Sequence, residues 1–125
     1  PIFDHSLDFV TALFTVVNQN ELQRVLKPGG YIIHVTANSN HLIEIKELIY
    51  DEIKVKSDKF IRLGFNKVSS FDLVKKIHID NREDSLNLLK MTPHYYHIKK
   101  ERRSVLDTLN TLDVTIDVKI TVYQT

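Results

Sequence analysis

Between Leu7 and Ala37 the sequence spells strand, helix, chain breaker and strand, and few folds accept that order. "LDFVTALF", Leu7 to Phe14, is a nearly continuous apolar run, which suits a strand covered on both faces, as in a parallel sheet. In the following "NQNELQRVLK", Asn18 with Glu21 three residues on forms a capping-box-like start. Leu22, Val25 and Leu26 then share one helical face. Pro28 cannot continue the helix, and Gly29-Gly30 permit a tight reversal. "YIIHVTA", Tyr31 to Ala37, is a second buried strand. Strands alternating with helices make the chain α/β.

The rest of the chain extends the pattern. Asn38, Ser39 or Asn40 can cap a helix carrying Leu42, Ile45, Ile49 and Ile53 on one face, with Leu48 beside it and Glu44 near its first turn. Lys54 to Asn66 is less regular, with Gly64 expected to end a short helix. Phe71 to Ile79 reads as a third strand, and Asp80 with Glu83 as a capping pair for a helix bearing Leu86, Leu88 and Leu89, broken at Pro93. "KKERRSVLDTLNTL" predicts a further helix, with Ile98, Val105, Leu109 and Leu112 on one side. The last segment alternates strictly. Val114, Ile116, Val118, Ile120 and Val122 face one way, and Thr115, Asp117, Lys119, Thr121 and Tyr123 the other, which predicts a long strand with one wet face. The early strands are expected to be parallel and the final pair to be an antiparallel addition at one side.

Composition narrows the function classes. The 125 residues, 42% apolar and 26% charged, suffice for one domain with a core. A net charge of +1 gives no global field for nucleic acid or membrane. The absence of cysteine excludes disulfides and thiolate metal sites and fits a cytoplasmic protein. No apolar run approaches the roughly 20 residues of a membrane span, and no stretch reads as a signal peptide. The opening "PIFDHSLDFV" lacks methionine and runs at once into a strand, as expected of a fragment or excised domain.

Candidate residues follow from chemistry. The three glycines, Gly29, Gly30 and Gly64, form no glycine-rich loop between a strand and a helix, so the chain carries no recognisable dinucleotide or phosphate loop. Among six histidines, His94 and His97 stand three apart. That spacing can clamp a metal on a helix, but without a third ligand surface or hydrogen-bonded histidines are the favoured reading. His34 and His78 lie within strands, packed or edge-exposed, and His5 stands near the start. His41 differs, because it opens a helix directly after the C-terminal end of a strand, the rim where open α/β sheets bind ligands. Lys99, Lys100, Arg102 and Arg103, with Lys75, Lys76 and Arg62, form either a phosphate-binding surface or a solvated face. Tyr95 and Tyr96 either stack on a base or pack as ordinary aromatics. Asp4, Asp8, Glu44, Asp51 and Glu52 are available as carboxylates, but spacing selects no catalytic base among them.

"ELQRVLKPGGYIIHVT" resembles the strand-helix-PGG-strand segment of class I S-adenosylmethionine-dependent methyltransferases. "HLIEIKELIYDE", then "GF", then "LLKMTPHYYH" is similar to the corresponding motifs of the 23S ribosomal RNA (guanine-N1)-methyltransferase family, along essentially the whole chain. The resemblance implies the C-terminal half of a Rossmann-like class I methyltransferase sheet, about four strands with the last antiparallel. Residues 1–125 would then be the C-terminal portion of a methyltransferase domain. The N-terminal zinc module and the glycine-rich cofactor motif would both lie outside it. By the same resemblance His41 contacts S-adenosylmethionine, and Met91, Thr92 and Pro93 lie on the guanine side of the pocket, with Tyr95 or Tyr96 in the place of the family's aromatic there. Asp8 matches a structural acidic residue opening the fourth strand of the family sheet. Val16 stands where the family usually has proline, which alters a loop facing cofactor and substrate.

The implied reaction is methylation of N1 of a guanine in large-subunit ribosomal RNA. Lys99, Lys100, Arg102 and Arg103 would contact RNA phosphates. No catalytic residue is assigned and no metal is expected in this chain. Zinc would belong to the absent module, and the fragment alone would bind no cofactor and be inactive. The alternative is a non-enzymatic RNA- or protein-binding remnant of the fold. The Leu7–Phe14 strand would expose an edge open to self-association.

Overall fold

The structure, a computed structural model, describes residues 1–54 and 64–125. In chain order the elements are β1 (Leu7–Leu13), α1 (Gln19–Val25), β2 (Leu26–Ala37), α2 (Ile43–Ile49), β3 (Asn66–Ile79), α3 (Arg82–Met91), 3-10 turns at Pro93–His97 and Lys100–Arg102, α4 (Ser104–Thr108) and β4 (Leu112–Gln124). The sheet runs β1-β2-β4-β3. β1 and β2 are parallel, as the alternation of apolar runs and helices predicts, and β4 is antiparallel to β2, as expected of the last segment. The expected helix before Gly64 and the basic Arg62 fall on residues 55–63, outside the described residues.

The described chain forms two compact units. The first comprises Pro1–Asn38, 64–73 and Val118–Thr125. Its core joins Leu22, Leu26, Ile32, Phe65 and Tyr123, with Leu7, Val10 and Val17 packed against them. Asn18 caps α1 as expected, its side chain accepting the Glu21 N–H at 3.1 Å. The Pro-Gly-Gly segment, however, makes no reversal. β1 and β2 pair at Leu7↔Leu26 and resume at Phe9↔Tyr31, so Lys27 to Gly30 bulge out opposite Asp8 alone. Gly29, at φ +79, supplies the left-handed residue of the bulge. At Gly30 a Cβ would lie 2.9 Å from the Lys27 carbonyl and 3.1 Å from that of Asp8. Lys27 Nζ pairs with Asp8 at 3.0 Å, a structural use of that carboxylate.

β1 ends the strand order, and its expected cover on both faces is absent here. Phe9, Leu13 and Phe14 are exposed, whereas Ala12 is buried: along β1 only the face carrying Val10 and Ala12 is covered, and the face carrying Phe9, Thr11 and Leu13 is open. The reading of one wet face on β4 is also corrected. β4 is an inner strand between β2 and β3, and Thr121 and Tyr123 are buried, because the face read as wet is covered as well. Thr121 meets the Ser70 hydroxyl at 3.2 Å and Tyr123 joins the core.

The second unit comprises 39–54 and 74–117. Its core holds Ile45, Ile49, Leu89, Leu109, Leu112 and Val114, and each fully buried aliphatic side chain contributes about 1.5–3 kcal/mol. None of Asn38, Ser39 and Asn40 supplies a side-chain cap to α2. Its N-cap is Leu42, in the left-handed region at φ 53. The helix stops at Ile49 and leaves Ile53 exposed. α3 is capped by Asn81, which accepts the Asp84 N–H at 2.8 Å, rather than by Asp80 and Glu83. The helix expected from Lys99 onward is reduced to the Lys100–Arg102 turn and the five-residue α4. Leu109 and Leu112 are buried all the same; Leu109 caps α4 and Leu112 opens β4.

Candidate functional site

The second unit contains His41, the MTP segment and the basic run together. The loop before α2 and the first turn of α2 are tied to β4 by four hydrogen bonds, two from each. Asp117 N–H donates to His41 Nδ1 at 3.1 Å, and Leu42 N–H donates to the Thr115 carbonyl at 2.7 Å. The Glu44 carboxylate accepts from both the Thr115 N–H and the Thr115 hydroxyl, each at 2.7 Å. These bonds explain how Thr115, on the face read as wet, is buried without an unsatisfied group.

His41 is half-buried. Its pKa is lowered by burial and then by the charge of Lys46, against the opposing pull of Asp117. A ring nitrogen that accepts a hydrogen bond carries no proton, so the neutral imidazole has its proton on Nε2. Chemically, His41 is a hydrogen-bond donor through Nε2.

The C-terminal end of α2 clamps the segment after α3. The Tyr50 hydroxyl and His94 Nδ1 are 2.9 Å apart, with the rings edge to face at 5.5 Å. Burial raises the Tyr50 pKa. Arg102 donates to the Glu47 and Leu48 carbonyls, at 3.5 and 3.2 Å, and pairs with Asp51. Lys99 reaches the same carboxylate at 3.4 Å. Arg102 and then Lys99 hold the Asp51 pKa below its ordinary value. "LIYDE" is thus a structural clasp. Tyr50 and Asp51 in it had no sequence signal as partners, because they lie 44 to 51 residues from the groups they meet.

Of the expected phosphate contacts, Lys99 and Arg102 are therefore paired internally. Lys100 and Arg103 have no ion pair among the described residues. Arg103 lines a cleft of about 170 Å³ with Tyr95, Tyr96, Ile98 and Leu106. The two tyrosine rings stand edge to face at 5.4 Å, and Tyr96 is 80% exposed. Within the MTP segment the three residues differ. Met91 is exposed, the buried Thr92 donates its hydroxyl to the Leu89 carbonyl at 2.7 Å, and Pro93 opens the 3-10 turn. Thr92 and Pro93 shape the segment, while Met91 and Tyr96 present it to solvent.

The other candidates have local partners. His5 Nδ1 meets the Leu26 carbonyl at 2.8 Å, and His78 Nδ1 meets Asp113 at 2.5 Å. Asp4 pairs with Arg24 at 2.7 Å. His34 is buried in β2. Among the described residues no cluster of three histidine or carboxylate side chains could hold a metal ion.

No family model matches the chain. In sequence it is 29% identical, over 125 residues and 96% of its length, to a Bacillus subtilis (strain 168) protein named "Putative 23S rRNA (guanine-N(1)-)-methyltransferase YxjB". It aligns with the C-terminal part of that protein and spans 44% of its length. Among solved structures it is similar to one titled as that of a "putative methyltransferase" from Bacillus halodurans, with a TM-score of 0.53 and 15% identity. That match covers 99% of this chain and 66% of the other. The order β1-β2-β4-β3, with its antiparallel β4, is thus a Rossmann-like α/β arrangement of the kind that solved structure has.

Proposed function

We propose that this chain is the C-terminal portion of an S-adenosylmethionine-dependent enzyme that methylates N1 of a guanine in large-subunit ribosomal RNA. The observation carrying the reading is the match of 96% of this chain to the C-terminal part of the Bacillus subtilis relative. The placement of His41 and the Tyr95–Arg103 cleft in one compact unit supports it. In this reading the glycine-rich cofactor loop and a zinc module belong to the remainder of the protein, and the enzyme works in the cytoplasm. No described helix is long and apolar enough to cross a membrane.

The residues present fit part of a cofactor site. His41, held as an Nε2–H donor, suits a carboxylate or hydroxyl oxygen of S-adenosylmethionine. When bound, that cofactor supplies a methyl group on an already electrophilic sulfonium. The protein's work is alignment and water exclusion. Tyr96, exposed beside Tyr95, offers a face on which an unpaired guanine stacks, as single-stranded RNA bases commonly do. Arg103 and Lys100 hold backbone phosphates without reading sequence. The carboxylates Asp4, Asp51 and Glu44 have internal partners, so the proton acceptor for N1 is not assigned to them. β1 ends the strand order with Phe9 and Leu13 exposed, and within this reading it pairs with a strand of the complete sheet. Without that strand the 125-residue chain self-associates through this edge, which sedimentation reads as a dimer.

The test is methyl transfer by the complete protein, with labelled methyl donor and unmodified large-subunit ribosomal RNA. The reading requires label in 1-methylguanosine after digestion to nucleosides. RNA binding without methyl transfer would favour the non-enzymatic remnant instead.

A further inference from the structure

Residues 41, 42 and 44 all bind the short stretch of β4 from Thr115 to Asp117. Leu42 N–H bonds the Thr115 carbonyl at 2.7 Å, Glu44 takes both the N–H and the hydroxyl of Thr115 at 2.7 Å, and Asp117 N–H reaches His41 Nδ1 at 3.1 Å. Between His41 and Glu44 the chain passes through Leu42 at φ 53, a conformation that a leucine holds only when its surroundings impose it. Two residues on, Glu44 ties the same turn to β4 through its side chain. Its two oxygens are both engaged by one buried threonine, so the carboxylate fixes where α2 begins relative to β4.

We propose that Glu44 is a positioning residue for His41. By holding Thr115 it keeps the Asp117 N–H on His41 Nδ1, and so presents the imidazole as a neutral Nε2–H donor and never as a base. The assignment of the acceptor, an oxygen of the methyl donor, rests on the functional reading above; the positioning itself does not. The charged groups facing the ring are Lys46 on α2, which opposes its protonation, and Asp117 on β4, which favours it. Glu44 is the third ionisable group of the cluster.

Nitrogen-detected histidine NMR of the 125-residue chain tests this without cofactor or RNA. In the unsubstituted chain His41 should show an unprotonated Nδ1 and a protonated Nε2. Glu44→Gln keeps an acceptor for the Thr115 N–H and should keep that tautomer. Relative to Glu44→Gln, which removes the same charge, Glu44→Ala should give a mixed tautomer and a titration midpoint shifted up toward the ordinary histidine value of about 6.5. Should Glu44→Ala fail to fold, Thr115→Val removes one of the two bonds and should give a smaller shift in the same direction. A folded Glu44→Ala, or failing that Thr115→Val, with the His41 tautomer and midpoint unchanged would overturn the proposal. An enzyme inactive toward RNA but with the tautomer dependent on Glu44 would overturn the functional reading and leave this one standing.

Discussion

Substituting Asp51 by asparagine should tighten RNA binding, although no residue expected to touch RNA is changed. Asp51 is the shared partner of Lys99 and Arg102. The three carry a net +1, and two cations without the carboxylate carry +2. Arg102 remains anchored by the Glu47 and Leu48 carbonyls, whereas Lys99, whose side chain is 65% exposed, loses its ion pair. Between one and two additional phosphate contacts therefore become available. On single strands each contributes about 0.7 to the slope of log affinity against log salt, so the slope should steepen by about 0.7 to 1.4. Over a fourfold rise in salt, from about 50 to 200 mM, that adds a roughly 3- to 7-fold loss of affinity. Fluorescence anisotropy of a labelled single-stranded oligoribonucleotide at several salt concentrations reads it directly. An unchanged slope, or weaker binding at low salt, would refute the claim that Asp51 neutralises cations that otherwise face RNA.

Other perturbations probe separate parts of the account. Tyr96→Ala, at a ring 80% exposed, should leave stability within about 0.5 kcal/mol but weaken single-stranded RNA binding by about 1–3 kcal/mol if one base stacks there; urea unfolding and anisotropy together separate the two. Gly30→Ala forces a Cβ against two backbone carbonyl oxygens at 2.9 and 3.1 Å, and should lower unfolding free energy by about 1–3 kcal/mol; an unchanged urea midpoint would contradict the bulge geometry. His41 has a depressed pKa in the folded chain, so its stabilising contribution is complete above the unfolded value of about 6.5 and is lost as pH falls through the folded value. His41→Gln should therefore lose less stability than the unsubstituted chain on acidification through that window, and parallel curves would show that burial of His41 is unlinked to folding.

Much of the fold was legible because it is written in local pattern. The Leu7 and Tyr31 strands, the Asn18 cap and the antiparallel last strand follow from apolar runs, a side-chain oxygen at the right offset and period-2 alternation. What escaped was what the pattern cannot contain. Alternation separates two faces of β4 but does not tell whether the polar face is also covered. Thr115 is buried because Glu44, 71 residues away, satisfies it. A Pro-Gly-Gly run looks the same whether the chain reverses or bulges, and only the β1 register distinguishes the two. The basic run from Lys99 to Arg103 reads as a phosphate-binding surface or a solvated face, yet Asp51 pairs with two of its four cations across 48 to 51 residues of chain. His41 was found from its place after a strand end, whereas its tautomer needed the Asp117 N–H.

The central claim is methyl transfer to guanine N1, and reverse transcription tests it most directly, because a methyl on N1 blocks the Watson–Crick edge and stops the enzyme. In cells from which the complete gene is deleted, large-subunit ribosomal RNA should lose a stop at one guanine, and the stop should return when the gene is restored. Identical stop patterns with and without the gene would contradict the account.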